Sequence, residues 1–289
     1  MRQMKYKFFL LLFFCFAFFP LITRAFASVD LVCDPGLTEE NTYWILVPWG
    51  VGGHSYFWSD GIVYMNVSES SGNSWIGVKV MWGEDPHGWQ PVAPRLCSDL
   101  TVHRGMVPDV FLNVRFKVGD YRVLRYPTSD PKGYAWFNVA VGLWFQRENV
   151  PYNSSDPHMC VGVNFFWMKY NGSWIPQREP VYFRGDVGND FHSLFAANNQ
   201  FVNGSWINCE VNIKQMIEDA LSYWNVNYAT LKAVEFYVES LGAEGEVWVD
   251  HVGVSYVPRE SGFAEQFIRA SLPLFIIAVC VTVMKVMMR

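Results

Sequence analysis

Apolar and polar residues alternate through much of the middle of the chain, which is the pattern of strands that bury one face. In residues 109–118 every second residue is apolar, whereas the residues between are mostly polar. In residues 133–145 the two alternating sets are both rich in apolar and aromatic residues. Similar patterns predict strands near residues 43–49, 62–68, 75–82, 160–170, 179–184, 233–239 and 246–257. Turn residues such as 130–133 and 242–245 separate them. So many strands predict an all-β fold, a two-sheet antiparallel β-sandwich.

One segment has the period of a helix instead of a strand. Its apolar residues fall at i, i+3, i+4, i+7, i+8 and i+11: Ile213, Met216, Ile217, Ala220, Leu221 and Trp224. Asn212 stands before this stripe as an N-cap, and Gln215 follows three residues later. We therefore predict one α-helix, near residues 213–225, packed against the outside of the sandwich.

Both ends of the chain carry longer apolar runs. Residues 1–27 combine basic residues, an apolar run and a small-x-small cleavage pattern, which predicts a signal peptide. Residues 270–288 as a helix would be about 28 Å long, close to a hydrocarbon core of ~30 Å, which predicts a C-terminal transmembrane helix. The alternatives are an uncleaved signal anchor at the first end and a buried or interfacial helix at the second.

These segments predict where the protein lies in the cell. The expected order is signal peptide 1–27, extracellular domain 28–257, linker 258–269 and membrane helix 270–288. The protein would then be single-pass in the cell membrane with its N-terminal domain outside. Charged residues make up 17% of the 289 residues and the net charge is −5, with no basic block. Nucleic acid is therefore not an expected partner.

Four cysteines lie within the predicted extracellular domain, where an oxidising compartment favours disulfides. Three pairings are possible. We favour Cys33–Cys97 and Cys160–Cys209, because neighbours in sequence close shorter loops, and the alternative is four free buried thiols. N-glycosylation sequons are present at four positions: Asn66, Asn153, Asn171 and Asn203. Two of them are Asn-Gly turns that each precede a predicted strand.

The C-terminal third resembles the end of a concanavalin-like β-jelly-roll, and most of all glycoside hydrolase family 12. The resemblance is carried by the strand 231–239, the turn 242–245 and the segment 247–250, and it extends over residues 130–257 or so. In that family a helix precedes a strand that ends in the acid/base glutamate, and Glu239 has that place. The family's nucleophile lies in a strand of the form Glu-x-Met-x-Trp. Residues 140–144 match this strand at Trp144, but Ala140 stands where the nucleophile would be.

The absent nucleophile bears directly on function. Retaining hydrolysis needs two carboxylates about 5 Å apart, and Glu235 shares a strand and a face with Glu239. We therefore predict a membrane-anchored, lectin-like protein that binds a polysaccharide or glycan. The predicted ligand-binding residues are Trp136, Asn138, Trp144, Glu235, Tyr237 and Glu239. One alternative is a glycoside hydrolase acting on β-glucans, with Glu239 as its acid/base. A structural or adhesive cell-surface protein is the other.

The sequence suggests little in the way of cofactors. Gly-rich phosphate loops, GxSxG elbows and HExxH motifs are absent. Carbohydrate-binding jelly rolls often hold a structural Ca²⁺ near their last strand, and the resemblance places Asp250 there. Asp30 and Asp34 are the early acidic residues that could join it, since Ca²⁺ takes several oxygen ligands.

Overall fold

The computed structural model describes residues 28–72, 74–84, 95–126, 133–151, 158–176, 181–182, 189–194 and 204–258. Residues Val29–Tyr256 form one compact unit. The predicted signal peptide, the predicted anchor and nearly all of the predicted linker lie outside the described residues. Within the described ranges, no helix is both long and apolar enough to cross a membrane.

Fifteen strands and one helix follow each other along the described chain. The strands are β1 (Val29–Asp30), β2 (Ile45–Trp49), β3 (Gly53–Ser59), β4 (Ile62–Ser68), β5 (Ile76–Gly83), β6 (Thr101–His103), β7 (Asp109–Val123), β8 (Ala135–Arg147), β9 (Met159–Tyr170), β10 (Trp174–Pro176), β11 (Val181–Tyr182), β12 (Asn189–Leu194), β13 (Trp206–Asn212), β14 (Tyr228–Leu241) and β15 (Ala243–Val257). The helix, α1 (Lys214–Tyr223), lies between β13 and β14.

The strands form two sheets, as the sequence predicts. A six-stranded sheet has the order β13-β7-β15-β4-β3, with β1 added to β15, and a nine-stranded sheet has the order β11-β12-β9-β8-β14-β5-β2. In the nine-stranded sheet, β10 also pairs with β9 and β6 with β14. The central strands β9, β8, β14, β5 and β2 pair antiparallel, whereas β12 runs parallel to β9. The architecture is a jelly-roll sandwich.

The core lies between the sheets and uses the alternation seen in the sequence. On β7, the apolar set is buried: Val110, Leu112, Val114, Phe116 and Val118. On β8, one alternating set is buried in the same core: Phe137, Val139, Val141, Leu143 and Phe145. The other β8 set therefore points away from the six-stranded sheet, and it includes the predicted ligand-binding residues of this strand.

The helix is confirmed, with two differences in detail. Ile213 is the N-cap residue, and the predicted cap Asn212 accepts a hydrogen bond from the Lys214 N–H at 3.0 Å. Gln215 donates to Asp219 instead of reaching back to the cap. The buried residues of α1 belong to the main core and the helix contacts both β7 and β9, so it spans the margin between the sheets.

One of the two predicted disulfides is confirmed and the other is wrong. Cys33 and Cys97 are bonded, with their Cα atoms 5.2 Å apart. The Cys160–Cys209 bond is not formed. Cys209 lies on β13 in the core between the sheets, whereas Cys160 lies on the far face of β9. The nine-stranded sheet separates the two sulfur atoms, and burial raises the pKa of the Cys209 thiol to about 11.

Two of the four sequons fall in the described chain. Asn171 is exposed in the turn between β9 and β10, whereas Asn66 is half-buried within β4. Asn153 and Asn203 lie outside the described residues. Glycosylation at all four positions stays a prediction.

Candidate functional site

The nine-stranded sheet has one face that points away from the core, here called the outer face. The predicted ligand-binding residues lie on this face. Strand register aligns five residues across it, and we call these five the tryptophan row: Trp49, Gly77, Glu239, Asn138 and Trp167. Four strand-to-strand steps make this row about 19 Å long. A half-buried carboxylate and a buried amide thus lie side by side between the half-buried Trp49 and the buried Trp167, whose ring lies under the Lys169 ammonium at 5.0 Å.

The neighbouring row contains a buried lysine and a buried amide. It consists of Val47, Lys79, Tyr237, Ala140 and Asn164. The Lys79 ammonium makes an ion pair of 2.6 Å with Glu235, which lies one row further along β14. Both side chains are buried. The positive charge of Lys79 is therefore neutralised at short range.

Two glycines make room for these side chains. The indole of Trp49 lies directly over Gly77, where an added Cβ would overlap the ring. This position brings the Lys79 ammonium within 5.8 Å of the ring centre and sets Trp49 edge-on to Tyr237. At Gly142 an added Cβ would lie 3.1 Å from the Glu235 side chain. Gly77 is thus required by close approach of the ring, whereas at Gly142 the Glu235 side chain would have to shift by a few tenths of an ångström.

Two buried amides of the outer face have unused hydrogen-bonding capacity. Asn138 and Asn164 are 5% and 2% exposed. The Asn138 Oδ1 atom and both polar side-chain atoms of Asn164 have no hydrogen-bond partner in the described part of the chain. Leaving such a group buried and unsatisfied costs about 1–3 kcal/mol.

One end of the outer face is closed by apolar side chains. Met81, Trp144, Cys160 and Ala233 pack together there, and Trp144 is 7% exposed. Because its indole is packed within this cluster, Trp144 has little ring surface to offer a sugar. Trp136, at the other end, is half-buried opposite Leu241 and Lys169.

All six predicted ligand-binding residues lie on the outer face, as their alternation on β8 and β14 requires. The structure places Asn138 beside Glu239 on neighbouring strands, with Tyr237 one row from them, Glu235 one row beyond Tyr237, Trp136 one row beyond Asn138 on the other side, and Trp144 in the apolar cluster. Four further residues of these rows were not predicted from the sequence as ligand-binding residues: Trp49, Lys79, Asn164 and Trp167. Each lies in a predicted strand, but only register shows that these strands are neighbours.

The carboxylates of the outer face do not form a catalytic pair among the described side chains. Glu235 and Glu239 are four residues apart on β14, or about 13 Å. Directly opposite Glu239 stand Asn138 and Gly77. The two carboxyl groups of glycosidases lie about 5–5.5 Å apart in retaining enzymes and about 6.5–9.5 Å in inverting ones.

The three acidic residues predicted to bind calcium each make different contacts. Asp250 is on β15 and pairs with Arg115 at 3.2 Å; burial raises its pKa despite the attraction of Arg115 and His251. Asp34 accepts hydrogen bonds from its own turn and from Trp44, and Asp30 stands opposite Ser255. Among the residues the structure describes, no group of three or more His, Cys, Asp or Glu is placed to hold a metal. Calcium binding stays a prediction.

Comparison with known proteins finds likeness to solved structures only. No protein-family model matches the chain, and no curated protein matches it. The similar structures include a family 12 xyloglucanase from Bacillus licheniformis, at 12% identity and a TM-score of 0.45, covering 79% of this chain and 98% of that one. They also include an endo-1,4-β-glucanase, at 14% identity and a TM-score of 0.46, covering 80% and 100%. A family 11 xylanase from Neocallimastix patriciarum is similar at 13% identity and a TM-score of 0.33, covering 73% and 98%.

Family 12, which the sequence resembles, is thus among the families of these similar structures. Likeness at this level says nothing about activity. The function of the chain therefore has to be inferred from its own residues.

Proposed function

We propose that the outer face of the nine-stranded sheet binds a polysaccharide. The observation that carries this proposal is the tryptophan row, in which a buried amide and a half-buried carboxylate lie between the half-buried Trp49 and the buried Trp167, beside the unsatisfied Asn164. Ligand sites typically combine aromatic walls with a few placed polar groups. Sugar rings match that combination, because their faces pack on indoles and their hydroxyls both donate and accept hydrogen bonds.

Binding without cleavage is the form of this function that the geometry supports best. Glu239 has no carboxylate opposite it among the described side chains, and Glu235 is held by Lys79. Ala140 stands beside Tyr237, one row from Glu239. A nucleophile or a base at catalytic distance is therefore missing from the described face.

Hydrolysis of a β-glucan is the second candidate. The names of the similar solved structures, a xyloglucanase, a glucanase and a xylanase, fit hydrolysis better than a lectin role. The observation on this chain that favours it is Glu239 itself, a half-buried carboxylate on the ligand face. The two candidates differ in whether reducing ends appear.

Retention on insoluble polymer and release of reducing ends test both candidates, with β-glucans and xyloglucan as the polysaccharides. We expect retention without reducing ends. Glu239→Gln should weaken retention only mildly, since an amide still bonds to a hydroxyl. Reducing ends that appear with the wild type and vanish with Glu239→Gln would establish hydrolysis. A folded protein retained on none of the polymers would leave the structural or adhesive alternative.

A matched pair of tryptophan variants locates the site. Trp49→Ala removes one end of the tryptophan row, and Trp206→Ala removes a half-buried indole from an edge strand of the other sheet. A stacked ring contributes about 0.5–1.5 kcal/mol beyond area burial, so Trp49→Ala should lower affinity roughly twofold to tenfold. Trp206→Ala should leave affinity unchanged. Equal losses in the two variants would place the site elsewhere.

We also propose that the protein acts at the cell surface, held by residues 270–288. The predicted signal peptide and anchor support this location, and the Cys33–Cys97 disulfide agrees with an oxidising compartment. Full-length protein should fractionate with membranes, whereas residues 28–257 should be soluble. Full-length protein recovered in the soluble fraction would contradict the anchor.

A further inference from the structure

We infer that β3 is a pairing edge through which two copies of this chain associate. β3 ends the six-stranded sheet, and among the described residues it pairs only with β4. Alternate N–H and C=O groups of an edge strand point away from its one neighbour and form a template for a further strand. This edge belongs to the six-stranded sheet, whereas the tryptophan row belongs to the nine-stranded sheet. The inference is therefore independent of polysaccharide binding.

The edge lacks the features that usually prevent such pairing. Proteins protect edge strands with proline, with charged side chains or with bulges. β2, at the end of the other sheet, contains Pro48, and β13 exposes Glu210. Residues 53–59 contain no proline and no Lys, Arg, Asp or Glu. Six of the seven residues of β3 are exposed.

Exposed apolar side chains are concentrated at this margin. Tyr56 is 39% and Phe57 57% exposed within β3, and Val51, two residues before it, is 82% exposed. Trp75, 58% exposed, has its backbone against Gly50. Four of the ten exposed large hydrophobic residues in the described chain thus lie at or next to one edge. Clustered apolar exposure beside unpaired backbone groups marks an interaction surface.

A second copy is the occupant that this edge fits. Antiparallel pairing of β3 with itself is a twofold, self-complementary contact. With the axis at Tyr56, the middle residue of the strand, Tyr56 faces its own copy and Ser55 of one chain faces Phe57 of the other. Since the strand carries no carboxylate or basic chain, this pairing brings no like charges together. A partner selected by charge would have nothing here to recognise.

Introducing a charge at the axis tests the inference. The experiment uses full-length protein in detergent, and its mass is measured by sedimentation equilibrium. The wild type should have the mass of two chains. Tyr56→Lys and Tyr56→Glu should each have the mass of one chain, because the axis places like charges opposite each other. An equimolar mixture of the two variants should regain the mass of two chains, which a folding defect would not allow.

Tyr223→Lys is the matched control, because Tyr223 is an exposed tyrosine on α1, away from β3, and this variant should keep the mass of two chains. A wild type that remains a single chain at the highest workable concentration overturns the inference. So does a Tyr56→Lys variant that still has the mass of two chains, or a mixture that stays monomeric.

Discussion

Glu69 is a buried carboxylate that joins two turns. It is 1% exposed and accepts hydrogen bonds from the N–H groups of Ser71 at 2.7 Å, Gly72 at 2.8 Å and Gly242 at 2.8 Å, and from the Ser71 hydroxyl. Burial alone would raise the pKa of this carboxyl. The hydrogen bonds from Ser71, Gly242 and Gly72 outweigh burial, so the pKa lies below its ordinary value. Glu69 thus ties the turn after β4 to the turn between β14 and β15.

Glu69→Gln should lower the free energy of unfolding by about 1–3 kcal/mol, because an amide cannot accept all of these bonds. The effect should depend on pH. A lowered folded-state pKa stabilises the protein fully above the ordinary value of 4.5, and this stabilisation is lost as pH falls through the folded-state pKa. Urea unfolding at pH 7 and at successively lower pH measures both effects.

The control for this experiment is Glu210→Gln, at an exposed glutamate on β13. Wild type and Glu69→Gln should converge in stability as the carboxyl protonates, whereas Glu210→Gln should follow the wild type throughout. A constant difference between wild type and Glu69→Gln down to the acid limit would contradict the proposed role of the charge.

Single residues also show where sequence reasoning stops. Asn138 and Tyr237 were predicted because each lies on a strand whose alternation is plain. Trp49 and Asn164 were not, although their strands were predicted. Their place in the site depends on β5 separating β2 from β14 and on β8 separating β9 from β14. Pairing between distant strands has no signature in one sequence.

At the scale of elements, alternation predicts strands well where one face is buried and poorly where neither is. β7 and β8 were predicted from their apolar sets. β3 was not, because aromatic and polar residues occupy both of its faces and six of its seven residues are exposed. The strand that breaks the alternation is the one we infer to pair with a second copy. An edge strand that is exposed in a single chain can still be buried by pairing with a second chain.

The six-stranded sheet shows that an aromatic row is not in itself a sugar platform. Phe57, Tyr64 and Trp248 follow one another across β3, β4 and β15, with ring centres 4.9 and 5.2 Å apart. The Lys117 ammonium lies 3.8 Å over Trp248 and 5.8 Å from Trp206. Since Tyr64 lies between its two neighbours and the Lys117 ammonium covers Trp248, these inner rings stabilise the sheet by cross-strand contact and have little free surface for a ligand, whereas Phe57 at the edge is 57% exposed.

Gly77→Ala tests the element that positions Trp49. The added methyl would overlap the indole, so the ring must leave its place on β5. Because β2 is an edge strand, the ring can move outwards. We therefore expect Gly77→Ala to lower polysaccharide retention strongly and the free energy of unfolding only slightly. Gly53→Ala is the control, since its Cβ would make an ordinary contact of 3.6 Å with Ser68. Retention by Gly77→Ala equal to that of the wild type would remove Trp49 from the site.

At the scale of the whole molecule, the sequence predicts the sandwich, its single helix and a common face for the six candidate ligand-binding residues. The cysteine pairing was half wrong for a physical reason. Loop length favours Cys160–Cys209, but side-chain direction decides, and Cys160 points to the outer face while Cys209 points into the core. Loop length can be read from a sequence, whereas the relation between faces of different sheets appears only in the fold.

Cys33–Cys97 crosses between the sheets, and its loss should weaken the whole domain. Cys33 follows β1 of the six-stranded sheet, and Cys97 precedes β6, which pairs with β14 of the nine-stranded sheet. Closing a loop of 64 residues stabilises the folded chain by about 4 kcal/mol in the chain-entropy description. Reduction should therefore lower the melting temperature of the wild type by roughly 8–16 °C. The double variant Cys33→Ser with Cys97→Ser should melt at the melting temperature of the reduced wild type and show no response to reductant.

A wild type whose melting temperature is unchanged after the bond is shown to be reduced would mean that neighbouring contacts hold the sheets together without the disulfide. Those contacts are the hydrogen bond from the Trp82 indole to the Cys33 carbonyl at 2.8 Å and that from the Cys97 N–H to Leu31 at 2.9 Å.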